Sequence, residues 1–194
     1  MRGRSGDQSP LFDFGQSFPN GFSYHPNFIS RDEEAVLIAQ FEKLPLTNAP
    51  YKEYTANRRV LSFGYSYDYD REEILPGKPL PDFLKPIAVR AAALAGIPKN
   101  RIVEALITEY RPGTGVGYHL DNESFEMIIG ISFGSWCVFD MKPLPEARLQ
   151  EAFSVTLEPR SCYLMRDESR WHYLHRVQPT KGLRYSITFR TLPA

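Results

Sequence analysis

The spacing of hydrophobic and polar residues changes at about residue 101, from a helical pattern to a strand pattern. Before that point, Ser30 and Glu33 have the spacing of a capping box, and an apolar stripe at helical intervals follows as far as Pro45. An alanine-rich run from about 82 to 95, ended by Gly96, indicates a second helix. The N-terminal half is therefore predicted to supply two helices.

After residue 101, short apolar segments of strand length follow one another. They are predicted at 103–110, 127–133, 136–141, 153–157, 161–165, 171–177 and 184–191. Many short strands at this spacing are typical of a jelly roll. We therefore predict an α+β, mainly β fold, a double-stranded β-helix (jelly roll) with flanking N-terminal helices.

The last predicted strand alternates without a break. Arg184, Ser186 and Arg190 fall on one face together with Thr188, and the other face is apolar. Two arginines on one face could clamp a dianionic ligand, because planar guanidinium groups bind carboxylates through paired hydrogen bonds. The alternative is an ordinary sheet strand whose polar face contacts water.

The chain divides into a short arm and one domain. Residues 1–21 are rich in glycine, serine and proline, which predicts a loosely ordered arm that could nevertheless pack through Phe12, Phe14 and Phe18. Residues 22–194 are long enough to bury a core and are predicted as a single domain. Within it, the segment 50–72 carries a row of aromatic residues on one face, Phe63, Tyr65, Tyr67 and Tyr69. Such a row either packs in the core or stacks on a base, and Tyr65, next to Gly64, is the candidate for stacking.

Composition narrows the class of protein. Lys plus Arg and Asp plus Glu are 23 each, so the net charge is zero and nucleic acid binding would need a local patch. Its candidate residues are Lys52, Arg58, Arg59, Arg111 and Arg170. The two cysteines lie in apolar segments and are predicted to be buried thiols. The longest apolar run, 127–139, is too short to span a bilayer, and we expect no membrane association and a cytoplasmic or nuclear location.

Histidine and aspartate at 119 and 121 are the first candidate metal ligands. Side chains at i and i+2 of an extended chain project to the same side, so His119 and Asp121 could hold one metal ion. A distant histidine would complete the facial triad that binds Fe(II) and leaves positions open for a cosubstrate and dioxygen. The candidates are His172 and His175, which would face opposite sides of one strand. We expect His175, because it opens the segment that leads to the arginine strand.

At this point the chain resembles the AlkB-like Fe(II) and 2-oxoglutarate-dependent dioxygenases. The residues that match are Tyr110-Arg111-Pro112-Gly113, His119-x-Asp121, Glu168-Ser169-Arg170 and Arg184-x-Ser-x-Thr-x-Arg190. The match is specific from about 103 to 192 and weaker back to about 22. The segment 57–67 resembles the nucleotide-recognition region of this family, closest to the oxygenase domain of tRNA wobble-uridine hydroxylases.

The resemblance implies a role for each matching residue. His119, Asp121 and His175 would hold Fe(II) as the catalytic metal centre. The residues implied at the 2-oxoglutarate site are Tyr110, Arg184, Ser186 and Arg190. The residues implied at the substrate are Arg58, Arg59, Tyr65 and Arg170. Thr108 and Ser186 stand where many AlkB proteins have asparagine, and a hydroxyl replaces only part of the hydrogen bonding of an amide.

The implied reaction is oxidative N-dealkylation, that is demethylation, of alkylated bases in DNA or RNA repair. The cofactors would be Fe(II), 2-oxoglutarate and dioxygen, and the partner a nucleic acid that presents a single-stranded or flipped base. Two alternatives stay open. One is stable hydroxylation of a tRNA base or of a protein side chain, and the other is a catalytically silent module that binds a modified base.

Overall fold

A computed structural model describes residues 18–51, 54–68, 71, 73–147 and 151–193, without the side chains of 50, 51, 54–56 and 68. The predicted N-terminal arm thus lies outside the described residues, apart from its last four. Of these, Phe18 packs its ring 5.0 Å from the Phe22 ring and 5.6 Å from the Phe153 ring. Lys52 and Tyr69 also lie outside the described residues.

Both predicted helices are confirmed. Helix α1 is Arg31–Phe41, and its capping box forms: the Ser30 hydroxyl accepts from the Glu33 amide at 3.1 Å, while the Ser30 amide donates to the Glu33 carboxylate at 2.8 Å. Helix α2 is Lys85–Ala95, preceded by a 3₁₀ turn, Asp82–Leu84, and ended by Gly96. A second 3₁₀ turn is Lys99–Arg101, and a short helix that the sequence pattern did not predict, α3, is Asp167–Trp171.

The described residues form twelve strands. Their bounds are β1 Phe22–His25, β2 Thr47–Tyr51, β3 Tyr54–Asp68, β4 Glu73–Pro76, β5 Ile102–Tyr110, β6 Val116–His119, β7 Ile128–Gly134, β8 Cys137–Pro143, β9 Phe153–Leu157, β10 Cys162–Met165, β11 Tyr173–Val177 and β12 Arg184–Thr191. The prediction of a strand over 171–177 was wrong at its start, because Trp171 ends α3 and the strand begins at Tyr173.

The strands form two antiparallel sheets that face each other. The major sheet has the order β1-β10-β7-β12-β5-β3-β2, with β4 paired to β3, and the minor sheet has the order β6-β11-β8-β9. The predicted double-stranded β-helix is therefore confirmed, with α1 and α2 packed on the outer face of the major sheet. No helix in the described ranges is long and apolar enough to cross a membrane.

The two faces of β12 show how the core is divided. Tyr185, Ile187 and Phe189 join the core under the helices, where the Phe41 ring lies 5.6 Å from that of Tyr185. The opposite face of β12, with both arginines, points between the two sheets. Cys137 and Cys162 are buried free thiols, as predicted, and burial raises the pKa of both.

Candidate metal centre

Strand pairing brings the two histidines together. In the minor sheet, His119 of β6 and His175 of β11 are directly opposite each other, and their ring centroids lie 4.3 Å apart. Side chains of directly opposed residues in an antiparallel pair are near neighbours on the same face. The pairing of β6 with β11 therefore places two imidazoles side by side between the sheets.

Asp121 completes the cluster from the loop that follows β6. Its Oδ2 atom lies 3.4 Å from Nε2 of His175. One ligand atom from each of His119, Asp121 and His175 lies within 4.8 Å of the others. Two imidazoles and one carboxylate form the donor set of a facial triad for Fe(II), and these three residues fit that ion.

The surroundings prepare these groups to act as ligands. Nδ1 of His119 lies 2.9 Å from the carbonyl oxygen of Gly117, a contact that leaves Nε2 as the metal-binding nitrogen. Burial and the neighbouring His175 lower the pKa of His119 to about 4, so its imidazole is neutral at neutral pH. Burial alone would raise the pKa of Asp121, but the charge of Arg190 and the contact with His175 hold it well below its usual range.

His172 lies outside the cluster. It is exposed and forms the C-terminal cap of α3, whereas His175 is buried in β11. The structure thus brings His175, the expected third ligand, to His119 and Asp121. The expectation that both histidines lie on one strand was wrong, because His172 caps α3 and β11 begins at Tyr173.

Arg170 holds the loop that carries Asp121. Its Nη2 donates to the backbone carbonyls of Asn122 and Phe125, both at 2.8 Å, and to that of Asp121 at 3.3 Å. Arg170 is 1% exposed, and its guanidinium carbon lies 4.3 Å from the centroid of the Trp171 ring. The predicted substrate contact for Arg170 is therefore corrected: a buried side chain whose Nη2 atom donates to three carbonyls supports the loop instead. Trp171 itself is 37% exposed.

We expect Arg170→Met to weaken metal binding by roughly 10 to 100-fold, the usual effect of losing a group that orients a ligand. Three carbonyls would lose their donor, so the Asp121 loop would no longer be held. Titration with Mn(II) would measure the affinity. Arg166→Met is the matched control, because Arg166 is a half-exposed arginine on the same segment, and an equal loss in both variants would contradict the assignment.

Arg184 has the environment of a carboxylate-binding residue. Its side chain is 2% exposed, its guanidinium lies 4.9 Å above the Tyr110 ring, and its Nε donates to Ser132 Oγ at 3.0 Å. Nη1 is buried and has no hydrogen-bond partner among the described residues. The alternative that this strand face contacts water is wrong. A buried cation with an unused donor fits the carboxylate of 2-oxoglutarate.

Arg190 is engaged by carboxylates of the protein itself. Its Nη1 donates to Glu104 at 2.8 Å and its Nη2 donates to Asp121 Oδ1 at 2.5 Å. Glu104 also accepts from the Ser62 hydroxyl at 2.7 Å. Arg190 thus links the major sheet to the candidate metal ligand Asp121, and Glu104 is a site residue that the sequence motifs missed. The feature that identifies Glu104 is the strand register, because Glu104 of β5 and Arg190 of β12 are directly paired.

Ser186 lies further along the same face of β12. It is buried, and its strand neighbours are Thr108 in β5 and Ser132 in β7. The inner face of the major sheet therefore carries short side chains next to Arg184. The predicted contact of Ser186 with 2-oxoglutarate stays a prediction.

Arg58 and Arg59 face opposite sides of β3, so they cannot share a site. Arg59 donates to both carboxylate oxygens of Glu109, at 2.8 and 2.5 Å, on the face toward the helices. Glu109 is directly paired with Tyr185 there. The predicted substrate role of Arg59 is corrected to an ion pair on the outer face. Arg58 points inward, and its charge contributes to the lowered pKa of His119.

The aromatic residues of β3 before and after Gly64 have different surroundings. Phe63 is buried in the core under the helices, whereas Tyr65 is 42% exposed. Gly64 has φ +84°, and a Cβ there would lie 2.0 Å from the Val103 carbonyl oxygen, so the turn in direction requires glycine. Packing of Phe63 is confirmed, and Tyr65 is free to contact a substrate.

Comparison with known proteins relates this geometry to a family. A family model described as 2OG-Fe(II) oxygenase superfamily matches residues 21–190. The tRNA (carboxymethyluridine(34)-5-O)-methyltransferase ALKBH8 of Mus musculus is 31% identical over 172 residues, which cover 86% of this chain and 25% of that protein. This chain thus spans about a quarter of that relative. ALKBH6 of Danio rerio, named a probable RNA/DNA demethylase, is 26% identical, with 80% of this chain and 68% of that protein covered.

A solved structure shows the same fold. OsALKBH1 superimposes with a TM-score of 0.74 at 16% identity, covering 91% of this chain and 99% of that structure. At this identity the likeness concerns the arrangement of strands and helices.

Proposed function

Since the chain belongs to the 2OG-Fe(II) oxygenase superfamily, we propose that it removes N-linked alkyl groups from nucleic acid bases by oxidation. It is an AlkB-like enzyme of the class that depends on Fe(II), 2-oxoglutarate and dioxygen.

One observation carries the proposal: the His119, Asp121 and His175 cluster lies between the sheets together with a buried Arg184 whose Nη1 has no hydrogen-bond partner in the described part of the chain. The cluster would hold Fe(II) through two neutral imidazoles and one carboxylate. Fe(II) with 2-oxoglutarate and dioxygen supplies an oxidant that hydroxylates C–H bonds, and a hydroxylated N-linked carbon leaves as an aldehyde. Arg184 would bind the far carboxylate of the cosubstrate and so orient it toward the cluster.

The choice of nucleic acid rests on the relatives and on β3. Both named relatives carry RNA or DNA in their printed names. On this chain, Arg58 faces the metal cluster and the exposed Tyr65 follows it on the same strand. A cation that contacts phosphate and an exposed ring that stacks on a base are the two elements of sequence-tolerant binding to single strands. Because the net charge is zero, these local contacts would have to supply the attraction.

The test is mass spectrometry of methylated DNA and RNA oligonucleotides after incubation with the enzyme, Fe(II), 2-oxoglutarate and dioxygen. Loss of one CH2 unit is the expected result. A product heavier by one oxygen atom would instead show that the enzyme hydroxylates the base stably and does not dealkylate it. Binding of modified oligonucleotides without any succinate would instead indicate a silent binding module. Asp121→Ala is the control for activity that does not depend on the metal cluster.

Arg58 and Arg59 form a matched pair of variants for the substrate surface. Arg58→Ala should weaken oligonucleotide binding. The slope of the logarithm of the binding constant against the logarithm of the salt concentration should become shallower by about 0.7 for a single strand or 0.9 for a double strand, the value for one phosphate contact. Arg59→Ala should leave the slope unchanged and instead lower the free energy of unfolding by about 1–3 kcal/mol, because buried Glu109 loses its bidentate partner. Fluorescence anisotropy at several salt concentrations and thermal unfolding would measure the two effects. Equal slopes for Arg58→Ala and the unaltered chain would contradict the assignment.

A further inference from the structure

Tyr163 lies between the two sheets, and Gly130 makes room for it. The two residues are direct partners in the pairing of β10 with β7. A Cβ on Gly130 would lie 2.2 Å from Cε1 and Cζ of Tyr163 and 2.6 Å from its hydroxyl oxygen. Such distances are incompatible with a side chain, so the ring crosses directly over the glycine backbone toward β12, the next strand of the sheet.

The charges of the candidate site act on the Tyr163 hydroxyl. Burial raises the pKa of Tyr163, the charge of Asp121 raises it further, and Arg184 and Arg190 oppose that rise. The phenol is therefore a protonated hydrogen-bond donor at neutral pH. Its ring centroid is 4.9 Å from that of Phe139, which lies 5.4 Å from the His175 ring. Through Phe139, the Tyr163 ring therefore packs in the same inner layer as the His175 ring.

The inner face of the major sheet is otherwise lined by short side chains at this level. Gly130 and Ser132 of β7 pair with Thr188 and Ser186 of β12. Short side chains leave space above the sheet, and the Tyr163 ring occupies part of it. A ligand carboxylate that enters beside this ring would pair with Arg184 Nη1, which is buried and has no hydrogen-bond partner among the described residues.

We propose that Tyr163 determines which dicarboxylate the site accepts: its ring limits the length of the ligand held by Arg184, and its hydroxyl donates a hydrogen bond to that ligand. The inference rests on the proposed use of 2-oxoglutarate. The two parts of the side chain have separate effects. Loss of the hydroxyl weakens the binding of every dicarboxylate to the same extent, whereas loss of the ring reduces the preference for the shorter of two dicarboxylates.

The experiment measures binding of 2-oxoglutarate and of 2-oxoadipate, which is one methylene longer, to the Mn(II)-loaded chain without dioxygen. Isothermal calorimetry reports both affinities independently of turnover. Tyr163→Phe should bind both ligands on the order of tenfold more weakly, with their ratio unchanged, because it loses only a hydrogen bond to a charged group. Tyr163→Leu should reduce the preference for 2-oxoglutarate on the order of tenfold, the usual worth of one methylene in a tight pocket.

Gly130→Ala tests the same contact from the other side. The new methyl group should displace the ring and weaken 2-oxoglutarate binding, and combining it with Tyr163→Leu should restore part of the loss, because the clash is then gone. Thermal unfolding of each variant verifies that it is folded.

Folded Tyr163→Phe and Tyr163→Leu variants with unaltered affinities and an unaltered ratio would overturn the inference while leaving the proposed function intact. An unaltered Mn(II)-loaded chain that binds no 2-oxoglutarate would overturn the proposed function, and this inference with it.

Discussion

Alanine at His119, Asp121 or His175 should reduce succinate formation from 2-oxoglutarate to the background level of the uncatalysed reaction. Among the described residues these three side chains form the donor set, so each variant leaves two ligands, too few to keep the metal in place. Asp121→Ala should also lower stability, because Arg190 would lose one of its two buried carboxylate partners. Succinate measured with saturating Fe(II) and 2-oxoglutarate checks the three variants.

His172→Ala is the control for this series. His172 is exposed at the end of α3, so its removal should retain most of the activity. Loss of turnover in His172→Ala, together with normal turnover in His175→Ala, would show that the metal cluster is built from a different histidine. Metal content should be measured in parallel, since it separates a missing ligand from an unfolded chain.

Arg184→Ala should raise the concentration of 2-oxoglutarate required for half-maximal turnover by roughly 10 to 150-fold. This range corresponds to a hydrogen bond with a charged group of about 1.5–3 kcal/mol. Arg184→Lys should recover only part of the loss, because lysine keeps the charge but not the planar pair of donors. A titration of turnover against 2-oxoglutarate measures the effect.

Arg176→Ala is the comparison for Arg184. Arg176 is also a strand arginine, but it lies on the outer side of the minor sheet, paired with Asp140 at 2.5 Å. Its removal should leave the 2-oxoglutarate requirement unchanged. An Arg184→Ala titration that coincides with that of Arg176→Ala would remove Arg184 from the cosubstrate site.

Alternation along a strand predicted which residues share a face, but not what that face contacts. The pattern from Arg184 to Arg190 was correct residue by residue, and the strand ends where predicted. Whether the polar face contacts water or a second sheet depends on the closure of β6, β11, β8 and β9 over it. Polar residues inside such a barrel have the same spacing as polar residues outside it, so the ligand-clamp interpretation and the ordinary-strand alternative could not be separated.

The residues that were wrongly placed have a common cause. Motif matching grouped Arg58 with Arg59 and read Arg170 as a substrate residue, since all are cations near the motifs. Strand alternation separates the first two, and burial of Arg170 under the 121–125 loop became visible only in three dimensions. Likewise, the fit of Tyr163 over Gly130 depends on pairing between β10 and β7, which a single sequence does not reveal.

The opposed histidines of β6 and β11 also bear on how the chain folds. The two strands are separated in sequence by most of the barrel, including β7, β8, β9, β10 and α3. Pairings between distant segments form late, after the loop-closure entropy has been overcome. The metal site therefore comes into being only when the second sheet closes, and the ion has no equivalent site on the unfolded chain. Bound metal should therefore stabilise the closed barrel, and the free energy of unfolding should rise with the logarithm of the free metal concentration.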